Sequence, residues 1–489
     1  MRVSATKRAA FAACFLLSAP LLAQGQPAVS PPRGASAAAD EPTKRSRDSV
    51  PSASPSAART PGAPNTAGTA AAPDPVSPAE MSGIERPSRR GDEAPRAIGN
   101  AILWPFRLIV DLVFLATGAA GALLENEQIV PRARDFFFTR GGEIGVFPTV
   151  FLETGTRPNI GARLIVSVDP YAATVRAGYG GPDENVFEAR MRLSASKPFP
   201  AVASLDGLHD RRTGLGFLGI GQTPWTDPRN AFRNGPAPAV YRERRERVIG
   251  GLGLRPFRDV EVLLSSSLTL RHADDTEDLR APTFAQVFAS GSVDGPYRTT
   301  RMVYTEMALR VDSRATQNGV DPGVLVEGYQ GVGVGIADDP TRFGRAGFRV
   351  ATFLPFIRRT TILSPKIVVD GLTPIGNTSE VPFQELVGQP TYRGFDNRRD
   401  FLSVVASLDY RWYLSRFVSA RLFGDLARVA PSIWDMTLAD WRWASGFGFD
   451  LHTSTTQVGR VAFAGSSEGF HFLLAFGVPA RFGDRQHRD

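Results

Sequence analysis

Alternation of apolar and polar side chains with a period of two, from about residue 142 onward, is the feature that most constrains this fold. In the segment 260–271, one face carries Val260, Val262, Leu264, Leu268 and Leu270, and the other carries Glu261, Ser265, Ser267, Thr269 and Arg271. The segments 403–412, 418–426 and 470–482 repeat the pattern. Successive side chains of a strand point to opposite faces, so the pattern predicts two-faced strands. Their length of about ten residues is what a tilted strand needs to cross a bilayer.

A strand in hydrocarbon must have both edges paired, because no water is present there to bond a free N–H group. At roughly 20 residues per strand and connection, residues 142–483 predict an all-β fold, a closed transmembrane antiparallel β-barrel of about 16 strands. Aromatic side chains near strand ends fit the interfacial girdles of such barrels: Trp412, Tyr413, Trp434, Trp441 and Trp443. A soluble sandwich is the alternative, but the strand length and the charged second face favour the barrel.

Composition excludes two other classes of protein. The mean hydropathy of −0.13 is far below that of a polytopic helical membrane protein. The net charge of +7 comes largely from scattered arginines, without the Lys/Arg block typical of nucleic-acid binding. We therefore expect no nucleic-acid partner.

The N-terminus reads as an export signal covering residues 1–25. Arg2, Lys7 and Arg8 precede an apolar run, Ala9–Leu22. The single cysteine, Cys14, lies inside this run, which leaves the mature chain without disulfides or a thiolate nucleophile. A lipoprotein signal that used Cys14 would have too short an apolar region. The sequence thus predicts export to the cell outer membrane of a Gram-negative bacterium.

Between the signal and the barrel, two further segments are expected in the periplasm. Residues 26–96 form a Pro/Ala/Ser-rich linker that cannot bury enough apolar surface to become ordered. Residues 97–141 include an apolar stretch in which Arg107 and Asp111 can pair on one helical face. We interpret it as a short amphipathic helical segment on a membrane surface or under another domain, and whether it instead spans the bilayer or plugs the barrel is left open.

The stretch "VGQPTYRGFDNRRDFL" (387–402) places an arginine and a glycine between two aromatics in a polar loop. With the strands that follow, "SVVASLDYRWYL" and "FVSARLFGDLARV", it resembles the barrel domain of the BamA/TamA-type outer-membrane assembly factors, the bacterial surface-antigen family. Residues 217–234, "FLGIGQTPWTDPRNAFRN", resemble another part of that barrel. The chain is similar to short members that lack the periplasmic POTRA domains.

The resemblance implies that the loop folds into the lumen. Its motif, Tyr392-Arg393-Gly394-Phe395, is called the latch motif below. Arg393 would pair with Asp409 and Asp425, which the alternation independently assigns to the polar face. Gly394 would permit a tight turn, and the flanking aromatics would pack on the wall. Arg398 is expected to lack acidic partners in the lumen.

The chain departs from the family pattern at three places. Gln389 stands where a second glycine is usual, and Ala427 replaces the usual glycine of the following strand. A C-terminal tail, residues 484–489, follows the last aromatic, Phe482.

Catalysis is not expected. "GSSEG" (465–469) matches a nucleophile-elbow pattern, but a strand follows it where the elbow requires a helix. We interpret it as a hairpin turn. The five histidines are scattered singly, so no metal site and no cofactor are predicted.

The sequence therefore favours a barrel that acts in protein insertion, translocation or outer-membrane biogenesis, and the alternative is a passive pore or structural barrel. Partners would be outer-membrane lipid and unfolded outer-membrane or secreted proteins, and a homo-oligomer is left open. Closure would join strands near 142–154 and 470–482, which contain Pro148 and Pro479. Proline cannot donate to a ladder, so this barrel seam is predicted to be the weakest pairing.

Overall fold

The computed structural model describes residues 137–139, 143–151, 159–276, 282–314, 321–356, 358–376, 380–395, 398–414, 418–452, 457–476 and 485. Sixteen strands account for most of them: β1 Ile144–Phe151, β2 Asn159–Val168, β3 Tyr171–Gly181, β4 Glu184–Ala195, β5 Ala201–Phe217, β6 Ala239–Phe257, β7 Val260–Asp275, β8 Thr299–Asp312, β9 Gly323–Gly335, β10 Arg342–Phe356, β11 Arg358–Pro374, β12 Leu402–Tyr413, β13 Val418–Ala430, β14 Arg442–His452, β15 Gln457–Ser466 and β16 Gly469–Phe476. One helical turn, α1, covers Phe284–Val287, and a 3₁₀ turn covers Ile433–Asp435.

The strands form one antiparallel sheet in strict chain order from β1 to β16. This confirms the predicted all-β barrel of about 16 strands. Within the described ranges, ladders join every consecutive pair, and none joins β16 to β1. The first and last strands have eight residues each, fewer than any other strand.

Connections differ in length at the two ends of the barrel. One end, the short-turn end, has tight links such as 258–259 between β6 and β7. The opposite, long-loop end carries the connections 218–238, 276–298 and 375–401. The loop with the latch motif is the last of these three, so it enters the barrel from the long-loop end.

The two faces of the sheet differ as the alternation predicts. On β7, Leu264 and Leu268 are exposed on the exterior, whereas Glu261 is buried inside. The interior charges pair across strands: Arg310 on β8 donates to Glu261 at 2.9 Å and to Glu327 of β9 at 2.6 Å. The exterior of the barrel is therefore apolar, and its interior face carries charges that are paired across strands.

An aromatic cluster covers the long-loop end. Its buried core unites side chains from β5, β6, α1 and the loop before β12: Phe217, Tyr241, Phe284, Phe288 and Phe383. Phe217 and Phe383 lie 4.8 Å apart between ring centroids, the closest of these ring contacts. Three loops thus share one hydrophobic core, which is called the cap cluster below.

The chain before the barrel falls almost wholly outside the described residues. This holds for the predicted signal peptide, the linker and all but 137–139 of the predicted helical segment. Phe137 is helical, and Phe138 forms an antiparallel bridge with Gly145 of β1. Among the described residues, no helix is both long and apolar enough to cross a membrane.

The band of apolar side chains on the exterior of the strands, called the apolar belt below, yields a test of the fold. Leu264→Arg places a charge in the middle of the apolar face, and we expect it to lower the free energy of unfolding by about 2–4 kcal/mol in lipid vesicles. Thr299→Arg, at the long-loop end of β8, should cost no more than about 1 kcal/mol. Denaturant titration of both variants measures this difference, and equal losses would contradict the placement of the belt.

Candidate functional site

The latch motif lies inside the barrel, at the end of the loop that joins β11 to β12. Tyr392, Arg393 and Gly394 are buried, and Phe395 is partly buried. The loop is held on both sides of the motif, since Val387 and Asp400 bond each other through their backbones. The motif therefore stands at the tip of a closed loop.

Arg393 is bound by two carboxylates from neighbouring strands. Its Nε donates to Asp425 at 2.8 Å, and its Nη2 donates to the other oxygen of Asp425 at 2.5 Å. Its Nη1 donates to Asp409 on β12. The backbone N–H of Arg393 also donates to Asp425 at 3.0 Å. The structure therefore brings together the three residues that the sequence had singled out.

The planar fork of a guanidinium explains why this position is arginine. Two parallel N–H groups match one carboxylate, and a lysine ammonium cannot reproduce this geometry. The guanidinium also lies over the ring of Phe423, 3.9 Å from its centroid. Burial opposes the charge, but the hydrogen bonds to Asp425 and the charge of Asp409 hold the pKa of Arg393 above its ordinary value. The arginine is thus charged at every pH in use.

Tyr392 fixes the other side of the motif. Its hydroxyl donates to the backbone carbonyl of Trp443 on β14 at 2.9 Å. Its ring shares a buried cluster with Val405, Ala427 and Ala444. Ala427, which departs from the family pattern, therefore supplies a methyl group to the wall that receives this ring.

Gly394 is required for space. A Cβ at this position would lie 2.5 Å from the ring of Tyr392, below any normal contact distance. Its backbone is not among those with positive φ. The tight turn predicted from the sequence is therefore a close approach of backbone to ring, and it does not depend on left-handed geometry.

Phe395 connects the motif to the last strand. Its ring stacks on His471 of β16, with centroids 4.9 Å apart and an interplanar angle of 14°. The Nδ1 of His471 lies 3.0 Å from the carbonyl oxygen of Gly394. The latch motif consequently contacts strands β12, β13, β14 and β16.

The expectation for Arg398 is wrong. Its Nη2 donates to Glu468 at 2.5 Å, its Nε donates to the carbonyl of Gln222 at 3.0 Å, and the side chain is buried. Glu468 lies in the turn between β15 and β16, where the pairing of Ser466 with Gly469 confirms the predicted hairpin at "GSSEG". The pentapeptide that resembles a nucleophile elbow thus supplies an acid to the latch loop.

Arg442 on β14 completes this half of the site. It donates to Glu468 at 2.5 Å, to the backbone carbonyl of Phe395, and to the Oε1 of Gln389 at 3.1 Å. Gln389, which like Ala427 departs from the pattern of the resembling family, is therefore a buried hydrogen-bond acceptor for Arg442. Neither Arg442 nor its contact with Gln389 was predicted from the sequence, because the strand pattern gives no signal for contacts between a loop and a distant strand.

The second resembling stretch, 217–234, packs against the latch loop. Arg229 binds both oxygens of Asp400, each at 2.8 Å, and also Asp227 at 2.6 Å. The hydrogen bonds to Asp400 raise the pKa of Arg229. Ile220 forms a parallel bridge with Arg399. In the sequence, only the opposite charges within the stretches 217–234 and 387–402 indicated this contact.

The remaining predicted site residues are the two prolines of the seam. Pro148 lies within β1, opposite Ala162 of β2, with its ring on the exterior. Pro479 lies outside the described residues. In the described part of the chain, no group of three or more His, Cys, Asp or Glu side chains is placed to hold a metal ion.

Comparison with solved structures gives matches to this fold. The fold is similar to the crystal structure of BamA from Haemophilus ducreyi lacking POTRA domains 1–3, with a TM-score of 0.48 and 12% identity, over 68% of this chain and 69% of that chain. No protein-family model matches the chain. No curated protein matches it either. A similarity of this size does not establish a family, so the function rests on the geometry described above.

The ion pair of the latch motif yields a second test. Arg393→Ala leaves Asp409 and Asp425 without their cation, and we expect a loss of about 3–5 kcal/mol in the free energy of unfolding. Arg393→Lys should restore only part of it, because lysine lacks the fork. Arg244→Ala, which removes an exposed ion pair on the exterior, should change the stability by about 1 kcal/mol or less. Denaturant titration in detergent compares the three, and equal losses for Arg393→Ala and Arg244→Ala would contradict a buried pair.

Proposed function

We propose that this protein is an outer-membrane barrel whose seam between β1 and β16 opens toward lipid and takes up strands of client proteins during their insertion. The observation that carries the proposal is the edge of β1. One edge of β1 pairs with β2, and on the other edge Phe138 bridges Gly145, while Thr139 donates to the carbonyl of Ile144 at 2.8 Å. The chain's own N-terminal segment therefore occupies part of the edge that closure would use.

A strand edge with unpaired N–H and C=O groups is a template for another strand. Added strands bind such edges through main-chain hydrogen bonds and need little side-chain specificity. Phe138 and Thr139 show that the edge of β1 accepts an antiparallel partner. A client strand would replace them by forming the same kind of main-chain hydrogen bonds.

Pro148 weakens this edge further. Proline has no N–H to donate, so β1 presents an incomplete row of donors. Both seam strands are also short, with eight residues each. Among the described strands, the two at the seam have the fewest residues, and we expect their pairing to separate at the lowest cost.

The latch motif supports the strand on the other side of the seam. Phe395 stacks on His471 of β16, while Arg393 is anchored to β12 and β13. The motif therefore holds β16 in register from inside the lumen when β1 moves away. This is the role that we assign to the arginine between two aromatics.

A disulfide across the seam tests the proposal. A cysteine at Val146 is combined in turn with cysteines at Phe470, Phe472 and Leu474, and the pair that oxidises most completely is used. We expect oxidation to slow the insertion of a small unfolded outer-membrane protein into proteoliposomes by about tenfold, because a closed edge cannot accept a strand. Reduction should restore the rate.

The control for this disulfide is a pair at Val461 and Leu474, which are partners within the β15–β16 ladder. Its oxidation joins strands that are already paired and should leave the insertion rate unchanged. An insertion rate that does not respond to the seam disulfide, or that falls equally with the control, would contradict a lateral opening.

A passive pore is the alternative function, and the polar interior favours it in one respect. The interior charges are buried in pairs, however, and the latch loop fills part of the lumen. We therefore expect little steady current from the wild-type protein in planar bilayers. Arg393→Ala should raise the conductance by releasing the loop, whereas a large steady current from the wild-type protein would favour the pore.

A further inference from the structure

The exterior of β4–β7 carries a polar cleft at the long-loop edge of the apolar belt. Its volume is about 400 Å³, and its lining includes Arg211, Arg242, Arg244, His209 and His272. These residues alternate with the buried, inward-facing Asp210, Arg245 and Arg271, so they lie on the outside of the barrel. The cleft is called the exterior basic cleft below.

The strand register arranges this surface in rows. The first row across the four strands consists of Asn185, Arg211, Arg244 and His272, which are partners in successive ladders. The next row toward the short-turn end consists of Phe187, His209, Glu246 and Leu270. The third consists of Ala189, Gly207, Val248 and Leu268. Within three rows the surface changes from polar to fully apolar.

Carboxylates hold the arginines in place. Arg211 bonds Asp183 at 2.5 Å, and Arg242 bonds Asp183 at 3.3 Å and Asp274 at 3.2 Å. Arg244 turns its Nε and Nη2 to Glu246, which also lies 3.5 Å from His209.

Some N–H groups of these arginines still face outward. Arg244 is the most exposed of the three arginines, with 60% of its side chain accessible. Within the part of the chain that the structure describes, its Nη1 has no hydrogen-bond partner. Arg301 on the adjoining strand β8, next to Leu270, is exposed and adds a further positive charge. The three arginines are matched by three carboxylates, so the donors that remain are the outward Nη1 of Arg244 and the charge of Arg301. These donors lie beside a preformed cleft, which suits a phosphate group.

A groove continues from the cleft into the apolar belt. Two outward glycines, Gly207 and Gly250, lie beside the exposed side chains of Leu205 and Val248. A Cβ at Gly250 would meet no atom within 4 Å. The missing side chains leave a depression in the third row, at Gly207, and in the next row, at Gly250.

We propose that the exterior basic cleft binds the phosphate headgroup of a membrane lipid, with an acyl chain of the same lipid in the groove at Gly207 and Gly250. A free phosphate ion would use the arginines but not the groove. The continuous passage from cationic donors to apolar surface over three rows is what distinguishes the lipid. The site lies on β4–β7 and is independent of the seam.

Native mass spectrometry in neutral detergent tests the assignment, with dioleoyl phosphatidic acid as probe and dioleoyl phosphatidylcholine as reference lipid. We expect one phosphatidic acid per chain at saturation. The double variant Arg211→Gln/Arg244→Gln should weaken its binding by about tenfold and leave phosphatidylcholine unchanged. Arg258→Gln, in the turn at the other end of β6, should have no effect on either lipid.

Two further measurements distinguish binding of the lipid from binding of a free anion. Gly250→Phe fills the groove without removing a charge, and it should also weaken the binding of phosphatidic acid. Inorganic phosphate in large excess should not displace the lipid. Equal binding by the wild type and the double variant, equal binding by the wild type and Gly250→Phe, or displacement by inorganic phosphate would each overturn the proposal. A shift in apparent mass on gel electrophoresis without heating verifies that every variant is folded.

Discussion

A guanidinium removed from water needs carboxylates within reach, and the arrangement inside this barrel depends on that requirement. Arg393 lies on a loop, whereas Asp409 and Asp425 lie on adjacent strands. None of the three charges is stable alone in a buried position. The loop must therefore stay in the lumen as long as β12 and β13 are paired, and Tyr392 and Phe395 are brought to β14 and β16 as a consequence.

The same requirement recurs around the latch loop. Arg398 and Arg442 share Glu468, and the carboxylate of Asp400 accepts from both Arg229 and the backbone N–H of Phe401. Each arginine comes from a different element, so the charges connect loops to strands as well as strands to one another. The cap cluster adds an apolar contact above them. Together these contacts make the long-loop end a single packed layer.

Much of the barrel could be predicted from the sequence because the strand period is a local property. The alternation in 260–271 and in 403–412 specifies which residues face the interior without knowledge of any partner strand. The contacts of Arg393 followed from a family resemblance joined to that alternation. Contacts between a loop and a distant strand, such as Arg442 with Gln389, have no comparable local signal. The error at Arg398 has the same origin, because its acid lies in a turn 70 residues away.

The contact between Arg229 and Asp400 joins residues that are 171 positions apart. The strands between them, β6 to β11, must be in register before the two side chains can meet, and contacts of such separation form slowly. The long-loop end therefore closes late, after most of the wall has assembled. A folding chain would pass through a stage in which the strands are paired and the long-loop end is still open. During that stage the arginines of the two loops are still solvated.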